Sequence, residues 1–189
     1  MRFPERGGGR GQVLVPVGQG ESRMIVRKAS EADLPSILMI YNEVISSSTA
    51  VYSDDPVPLE NRKAWFDRQQ ERKFPVLAAV HPDDGVVGFS AFGDWRGAWP
   101  GYRHTVEHSV HVRADHRGAG IGRSLVEALF PYAFELEMHV MIGGIDASNA
   151  ASLRLHKNLG FEQVAEFRQV GKKFGRWLDL VFVQRFVDG

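Results

Sequence analysis

Between an alternating run, Thr105 to Val112, and an apolar helical run, Leu125, Val126, Leu129 and Phe130, the chain reads Arg117-Gly118-Ala119-Gly120-Ile121-Gly122. This turn constrains the fold more than any other segment. Its glycines let the backbone take conformations closed to other residues and pass close to another group. A helix beginning there aims unpaired N–H groups and the positive end of its dipole back at the turn. An anionic group such as a pyrophosphate suits that place, with Arg117 and Arg123 adding charge at the same pole. A dinucleotide-binding turn needs G-x-G-x-x-G with an acidic residue about 20 positions on, and a P-loop needs G-K-[ST]; neither is present. Glycine between strand and helix also arises for geometry alone, so the spacing by itself leaves both readings open.

The elements around the turn alternate in type. Met24 to Lys28 reads as a first strand. Ser30 and Asp33 stand ahead of Leu34, Ile37, Leu38, Tyr41 and Ile45, which recur at helical spacing, so a capped helix begins near Ser30 and ends in the Ser46 to Thr49 run. A loop at Asp54 to Pro58 leads to a second helix over Leu59 to Gln70, followed by strands at Phe74 to Val80 and Val86 to Phe92. After the glycine turn and its helix come a strand at Val140 to Ile145 and a short helix at Ala150 to Leu159. Two last strands are expected at Phe161 to Phe167 and Trp177 to Val183. This order predicts a mixed α/β sheet covered by helices. Residues 1–22 hold six glycines, scattered arginines and one apolar run, Val13 to Val17, and are expected to be a flexible extension; residues 23–189 form the single domain.

Composition removes several classes of function. The chain has no cysteine, which excludes disulfides, thiolate metal sites and cysteine nucleophiles. Its 23 Lys+Arg balance 23 Asp+Glu, so no overall basic field draws it to nucleic acid or anionic lipid. No stretch approaches the roughly 20 apolar residues of a membrane span, and the start lacks a signal peptide's apolar core. A cytoplasmic protein with no nucleic-acid partner, no membrane and no metal is expected.

Four further motifs follow the glycine turn's lead. Asn149-Ala150-Ala151-Ser152 opens a helix that ends in His156-Lys157-Asn158-Leu159-Gly160-Phe161. Tyr41-Asn42 lies in the first helix, Thr105-Val106-Glu107-His108-Ser109-Val110 on the central strand, and Lys173-Phe174-Gly175-Arg176-Trp177-Leu178-Asp179 near the end. Together with R-x-x-G-x-G these resemble the GNAT superfamily of N-acetyltransferases, within it the branch of phosphinothricin and methionine sulfoximine or sulfone acetyltransferases, over Met24 to Asp188. The resemblance implies the GNAT fold, a mostly antiparallel central sheet flanked by helices on both faces. It also implies acetyl-CoA as co-substrate, a small amino-acid-like primary amine as acceptor, and a homodimer.

The resemblance carries roles onto particular residues. Arg117, Gly118, Ala119, Gly120, Ile121, Gly122 and Arg123 would bind the coenzyme pyrophosphate, and Asn149 and Ser152 would contact the coenzyme. The backbone of Val110, His111 and Val112 would pair with its pantetheine arm, with the Val110 N–H at the thioester oxygen. Glu107 matches the branch's general base, or else pairs with an arginine such as Arg103. His156 holds the position of the proton donor to the leaving thiolate, or else packs as a structural histidine. Backbone donors and a positioned carboxylate suit direct attack in a ternary complex. The acceptor-binding candidates are Arg96, Trp99, Tyr102 and Arg103 in the loop before the strand, with Glu107, His108 and Ser109 on it. Strand alternation nevertheless points the His108 side chain away from the Glu107 face. Two alternatives remain at this stage: an acetyltransferase acting on a protein N-terminus or lysine, and a non-catalytic acyl-CoA sensor.

Overall fold

Val76-Leu77-Ala78-Ala79 is apolar at every position because both faces of its strand are covered, and each face has its own core. Leu77 and Ala79 pack with one cluster, while Val76 and Ala78 pack with another. The computed structural model describes residues 12–16 and 23–187. Its strands are β1 (Gln12–Pro16), β2 (Arg23–Lys28), β3 (Val76–His81), β4 (Gly85–Asp94), β5 (Thr105–Val112), β6 (Val140–Asp146), β7 (Glu162–Lys173) and β8 (Arg176–Phe186). Its helices are α1 (Leu34–Ser47), α2 (Leu59–Glu71), α3 (Ile121–Glu127), α4 (Phe130–Glu135) and α5 (Ala150–Asn158).

The strands form one sheet in the order β1-β2-β3-β4-β5-β6-β8-β7. Every neighbouring pair is antiparallel except β5 and β6, which are parallel because α3 and α4 carry the chain back between them. On one face Leu34, Ile37 and Ile40 of α1 and Phe66 of α2 pack on β3 and β4. On the other, Ile121, Leu125 and Val126 of α3, Leu129 and Ala133 join Leu159 and Phe161 against β2, β5 and β6. The expected mixed, mostly antiparallel sheet with helices on both faces is what the chain forms.

Several elements differ from their expected extent. Within the segment expected to be a flexible extension, Gln12–Pro16 is a strand hydrogen-bonded along β2, so the apolar run there adds to a sheet edge; the rest of residues 1–22 lies outside the described residues. The helix expected through Leu129 and Phe130 is two helices, because Pro131 opens α4 and cannot donate the N–H that would continue α3. β7 and β8 are longer than expected. Register shifts at Gln163/Ala165 and Phe167/Gly171, and Gln169 at φ 53°, break the period-two pattern by which strands are read from sequence.

The β7–β8 hairpin reaches across to the end of α1. Lys173 is 1% exposed, and its Nζ donates to the carbonyls of Ile45, Ser48 and Val51 at 2.6, 2.8 and 2.7 Å. One ammonium thus satisfies helix-end carbonyls that have no partner within α1 and ties down the loop after it. Lys173→Met leaves those oxygens without their common donor and is expected to cost on the order of 3 kcal/mol. Urea unfolding measures this, and a loss below about 1 kcal/mol would show that the contact does not hold the loop.

Candidate active site

The site begins where the sheet comes apart. β5 pairs with β6 only over Thr105, Val106 and Glu107, against Val140, Met141 and Ile142. β6 itself continues beside β8 as far as Asp146. Past Glu107 the two strands separate, and a cleft of about 820 Å³ opens between them, bordered by the glycine turn and the start of α5.

Backbone parity decides what β5 presents to the cleft. The Trp95 N–H donates to the Thr105 carbonyl (3.2 Å) and the Arg113 N–H to the Val87 carbonyl (2.9 Å), so the odd-numbered residues between them bond to β4. In an antiparallel ladder the intervening residues aim their N–H and C=O the other way. Val110 and Val112 therefore turn theirs toward the cleft, where β6 no longer meets them. Arg117 Nε donates to the Val112 carbonyl at 2.9 Å, which leaves the Val110 pair facing the opening.

Side chains alternate across the same strand. His108, Val110 and Val112 face α3 and α5, where the two valines join the larger core. Glu107, Ser109 and His111 face α1 and α2, with His111 packed between Tyr41 and Phe89. His108 thus stands on the face opposite Glu107, as alternation requires. Two glycines of β6 make room for both: a Cβ at Gly143 would lie 2.8 Å from the His108 ring, and one at Gly144 would lie 3.2 Å from Glu107 Oε1.

Burial tunes these groups in opposite directions. It raises the Glu107 pKa above the ordinary carboxylate value, with no neighbouring charge contributing, so the alternative of a structural Glu107–Arg103 pair finds no support; Arg103 donates to the Pro100 carbonyl instead. Burial lowers His111 to about 4, assisted by the charges of Arg62 and Arg117, and it also lowers His156. His156 is 3% exposed and its Nε2 lies 2.9 Å from His108 Nε2.

The glycine turn has the geometry of a ligand cradle. Gly118 and Gly120 sit at φ 83° and 82°, in the left-handed region, and a Cβ at either would meet nothing within 4 Å. They are glycines for conformation, and the space before them is open. No side chain caps α3, so its first N–H groups face that space. Arg117 also approaches Glu43 at 3.6 Å, and Arg123 pairs with Glu127 at 2.9 Å. Asn149 caps α5 by accepting from the Ser152 N–H at 3.1 Å.

Not every candidate comes to the cleft. Glu107, His108, Ser109, Val110, the glycine turn, Asn149, Ser152 and His156 line it; Arg96, Trp99, Tyr102 and Arg103 do not. The Arg96 guanidinium lies over the rings of Trp99 and Tyr102, at 5.4 and 5.6 Å, within its own loop. Two charged residues not singled out from sequence do line the cleft. Arg62 of α2 lies 4.0 Å from the centre of the Tyr41 ring and 5.1 Å from that of Trp65. Asp146 at the end of β6 is 4% exposed, and its Oδ2 has no hydrogen-bond partner. Burial opposes its ionisation, but the Ser148 hydroxyl and N–H, the Thr49 hydroxyl and the charge of Arg176 together outweigh that and hold its carboxyl below the usual range. Neither residue sits in a motif, and the sequence carries no signal for either beyond the Gly143-Gly144 pair shortly before Asp146.

Residues 37–161 match the acetyltransferase (GNAT) family. The chain is 48% identical to an L-methionine sulfoximine/L-methionine sulfone acetyltransferase of Pseudomonas aeruginosa, over 86% of this chain and 94% of that protein. Among solved structures it is similar to an acetyltransferase of Salmonella typhimurium described with its cofactor acetyl-CoA (TM-score 0.84, 45% identity, 87% of this chain and 94% of that one). It is also similar to a ribosomal-protein-alanine N-acetyltransferase of Brucella melitensis (TM-score 0.82, 45% identity, 85% and 98%). The split sheet, the open glycine turn and these matches together establish that the chain belongs to the acetyltransferase (GNAT) family and is an N-acetyltransferase.

Proposed function

We propose that this enzyme moves the acetyl group of acetyl-CoA to the primary amine of a small amino-acid-like molecule of the methionine sulfone, methionine sulfoximine or phosphinothricin type, by direct attack in a ternary complex. The observation that carries the proposal is the unpaired Val110 backbone, set in one cleft with a carboxylate of raised pKa and an open glycine turn. The residues fit coenzyme A. Gly118 to Gly122 and the N–H groups of α3 receive the pyrophosphate, with Arg117 and Arg123 at its flank, and Asn149 and Ser152 border its path. Val110, His111 and Val112 supply the strand edge along which the pantetheine arm lies. The Val110 N–H, fixed before the reaction, meets the oxygen that gains charge as the thioester is attacked.

On the other face of β5, Glu107 takes the proton of the acceptor's ammonium, a task its raised pKa suits. Asp146 offers the arriving ammonium an anionic partner through its unpartnered oxygen. Arg62 grips an anionic oxygen group of the acceptor. Arg96 is the second candidate for that grip, from outside the cleft. His156 returns a proton to the departing thiolate. The protein is proposed to work in the cytoplasm as a homodimer; exposed Val164, Phe167, Val170, Phe174 and Trp177 on the β7–β8 hairpin give a second copy an apolar surface to cover. The Brucella neighbour's name favours one other reading, acetylation of a protein N-terminus, and a sensor without chemistry is excluded if thiol is released.

Acetyl-CoA at about 100 times its Kd should stabilise the fold by about 2.7 kcal/mol, a Tm rise of roughly 5–10 °C. Gly120→Val forces a β-branched residue into the left-handed region and should abolish most of the shift relative to its own apo Tm. A full shift in that variant would move the coenzyme elsewhere.

Glu107→Gln should lower kcat by about 100-fold with acetyl-CoA binding unchanged. Because a base works when deprotonated and burial raises this carboxyl, wild-type activity should climb with pH through a limb above the ordinary carboxylate range. The variant should lack that limb; wild-type kcat in it would remove Glu107 from the mechanism.

In steady-state thiol-release assays, methionine sulfone, methionine sulfoximine and phosphinothricin should outperform methionine, which leaves polar donors in the cleft unpaired. Arg62→Ala should raise their KM by roughly 30-fold, the equivalent of about 2 kcal/mol for a hydrogen bond to a charged group. The same loss in Arg96→Ala alone would transfer the grip to Arg96. Efficient acetylation of a peptide N-terminus, with all four amino acids refused, would replace the small-molecule reading.

A further inference from the structure

The Tyr41-Asn42 pair of α1 takes no part in the chemistry proposed above, yet both side chains bear on Arg62. Asn42 Nδ2 donates to the Val57 carbonyl and the Val57 N–H donates to Asn42 Oδ1, each at 2.9 Å. One side-chain amide thus holds both backbone polar groups of a single residue, as a paired antiparallel strand would. Val57 lies two residues before α2 starts at Leu59, so this clasp sets where the helix begins. Phe66, 5% exposed, anchors the same helix in the core on that face. These two anchors place the helix; they do not place the Arg62 side chain.

A set of rings does that. The Arg62 guanidinium carbon lies 4.0 Å from the centre of the Tyr41 ring and 5.1 Å from that of Trp65, so Tyr41 is the nearer partner. Tyr41 meets the His111 ring edge-on at 5.8 Å, His111 meets Phe89 at 5.1 Å, and Phe89 meets Trp65 edge-on at 6.2 Å. The contacts return to Arg62, so rings from α1, α2, β4 and β5 and one guanidinium close a circuit along the cleft. Phe89 and His111 are 1% and 8% exposed and form its buried backing. The hydrogen bonds of Arg62 itself go to Asn61 Oδ1, from Nε at 3.1 Å and Nη2 at 2.7 Å. Among the described residues no carboxylate pairs with it, so its charge is left for a ligand while the rings hold its plane.

We infer that Tyr41 is a positioning residue: its ring face holds the Arg62 guanidinium at the height and tilt from which it meets the acceptor's anionic group. The consequence for binding rests on the reading of Arg62 as that grip; the stacking itself does not. Stacking suits the task because a ring covers the flat face of a guanidinium and leaves the N–H groups at its edge free to bond. A carboxylate in place of Tyr41 would occupy those N–H groups and compete with the acceptor. Order already present in the free enzyme need not be imposed when the acceptor arrives, so affinity rises with no added contact.

Proton–carbon NMR of arginine-labelled enzyme, with Arg62 assigned by its loss in Arg62→Ala, reads the stacking through the upfield ring-current shift of its side-chain protons. Tyr41→Leu should lose much of that shift, and Tyr41→Phe, which keeps the ring, should retain it. In thiol-release kinetics Tyr41→Leu should raise the KM for methionine sulfone roughly tenfold. Its kcat and its acetyl-CoA thermal shift should stay at wild-type values, and Tyr41→Phe should bring KM back. In the Arg62→Ala background Tyr41→Leu should change KM by less than about twofold, since nothing is left to position. Arg62 protons unmoved in Tyr41→Leu, a KM raised by Arg62→Ala alone, or losses that add in the double variant overturn the inference. So does a KM as high in Tyr41→Phe as in Tyr41→Leu, which puts the Tyr41 hydroxyl on the acceptor itself. A ring-current shift lost in Tyr41→Leu, with KM unaltered in every variant including Arg62→Ala, upholds the positioning and removes the anion grip from Arg62 instead.

Discussion

The parting of β5 from β6 is the constraint on which the rest of this structure depends. A parallel pair joined by a helical crossover holds for three residues and then opens, while each strand keeps its other neighbour: β4 along β5, and β8 along β6. The interior of a sheet thereby gains an edge. A buried edge of unpaired N–H and C=O groups is costly in a closed core and useful in a cleft, where a ligand with amide groups of its own can pair with it. The glycine turn that follows β5 opens onto the same gap, so the strand edge and the anion cradle are two parts of one groove.

Because the gap runs through the sheet, it exposes both faces of β5 at once. Strand alternation then separates two kinds of acid–base group by one residue in sequence and the thickness of the sheet in space. Glu107 faces α1 and α2, His108 faces α5, and burial acts on both: it favours the neutral form of each, raising the acid and lowering the base. The glycines at 143 and 144 let the neighbouring strand lie close beneath these two side chains. The two faces are thus compatible with the separate duties proposed for them, proton removal from an acceptor on one and proton return to a thiolate on the other.

The far wall of the cleft is assembled from distant parts of the chain. Lys173 at the tip of the last hairpin holds the end of α1 and the loop following it, placing Ser48 and Val51 along the opening. Arg62 comes from α2 and Asp146 from the end of β6, so the cleft carries a cation and an anion from separate elements. An amino acid presents one charge of each sign, and a wall with both is complementary to it. Holding such a wall in place requires a rigid support, which a buried ammonium with three carbonyl partners provides.

The sequence by itself determined most of the elements and the half of the cleft that is proposed to face the coenzyme. Helical spacing from Leu34 to Ile45, alternation from Thr105 to Val112 and the glycines at 118, 120 and 122 express local rules of backbone conformation and amphipathic burial. The turn is separated from Asn149 and His156 by α3, α4 and β6, and the three are read together only through the resemblance to the GNAT family. Only the tertiary structure decided where β5 and β6 part, that Arg62 and Asp146 line the cleft while Arg96 stacks within its own loop, and that His108 meets His156 across 48 residues of chain. Bulges in β7 hid its true length for a related reason, since an extra residue resets the period on which reading a strand depends. Contacts between distant segments leave no periodic trace in sequence. They arise from how layers pack and strands separate, and those are properties of the assembled fold.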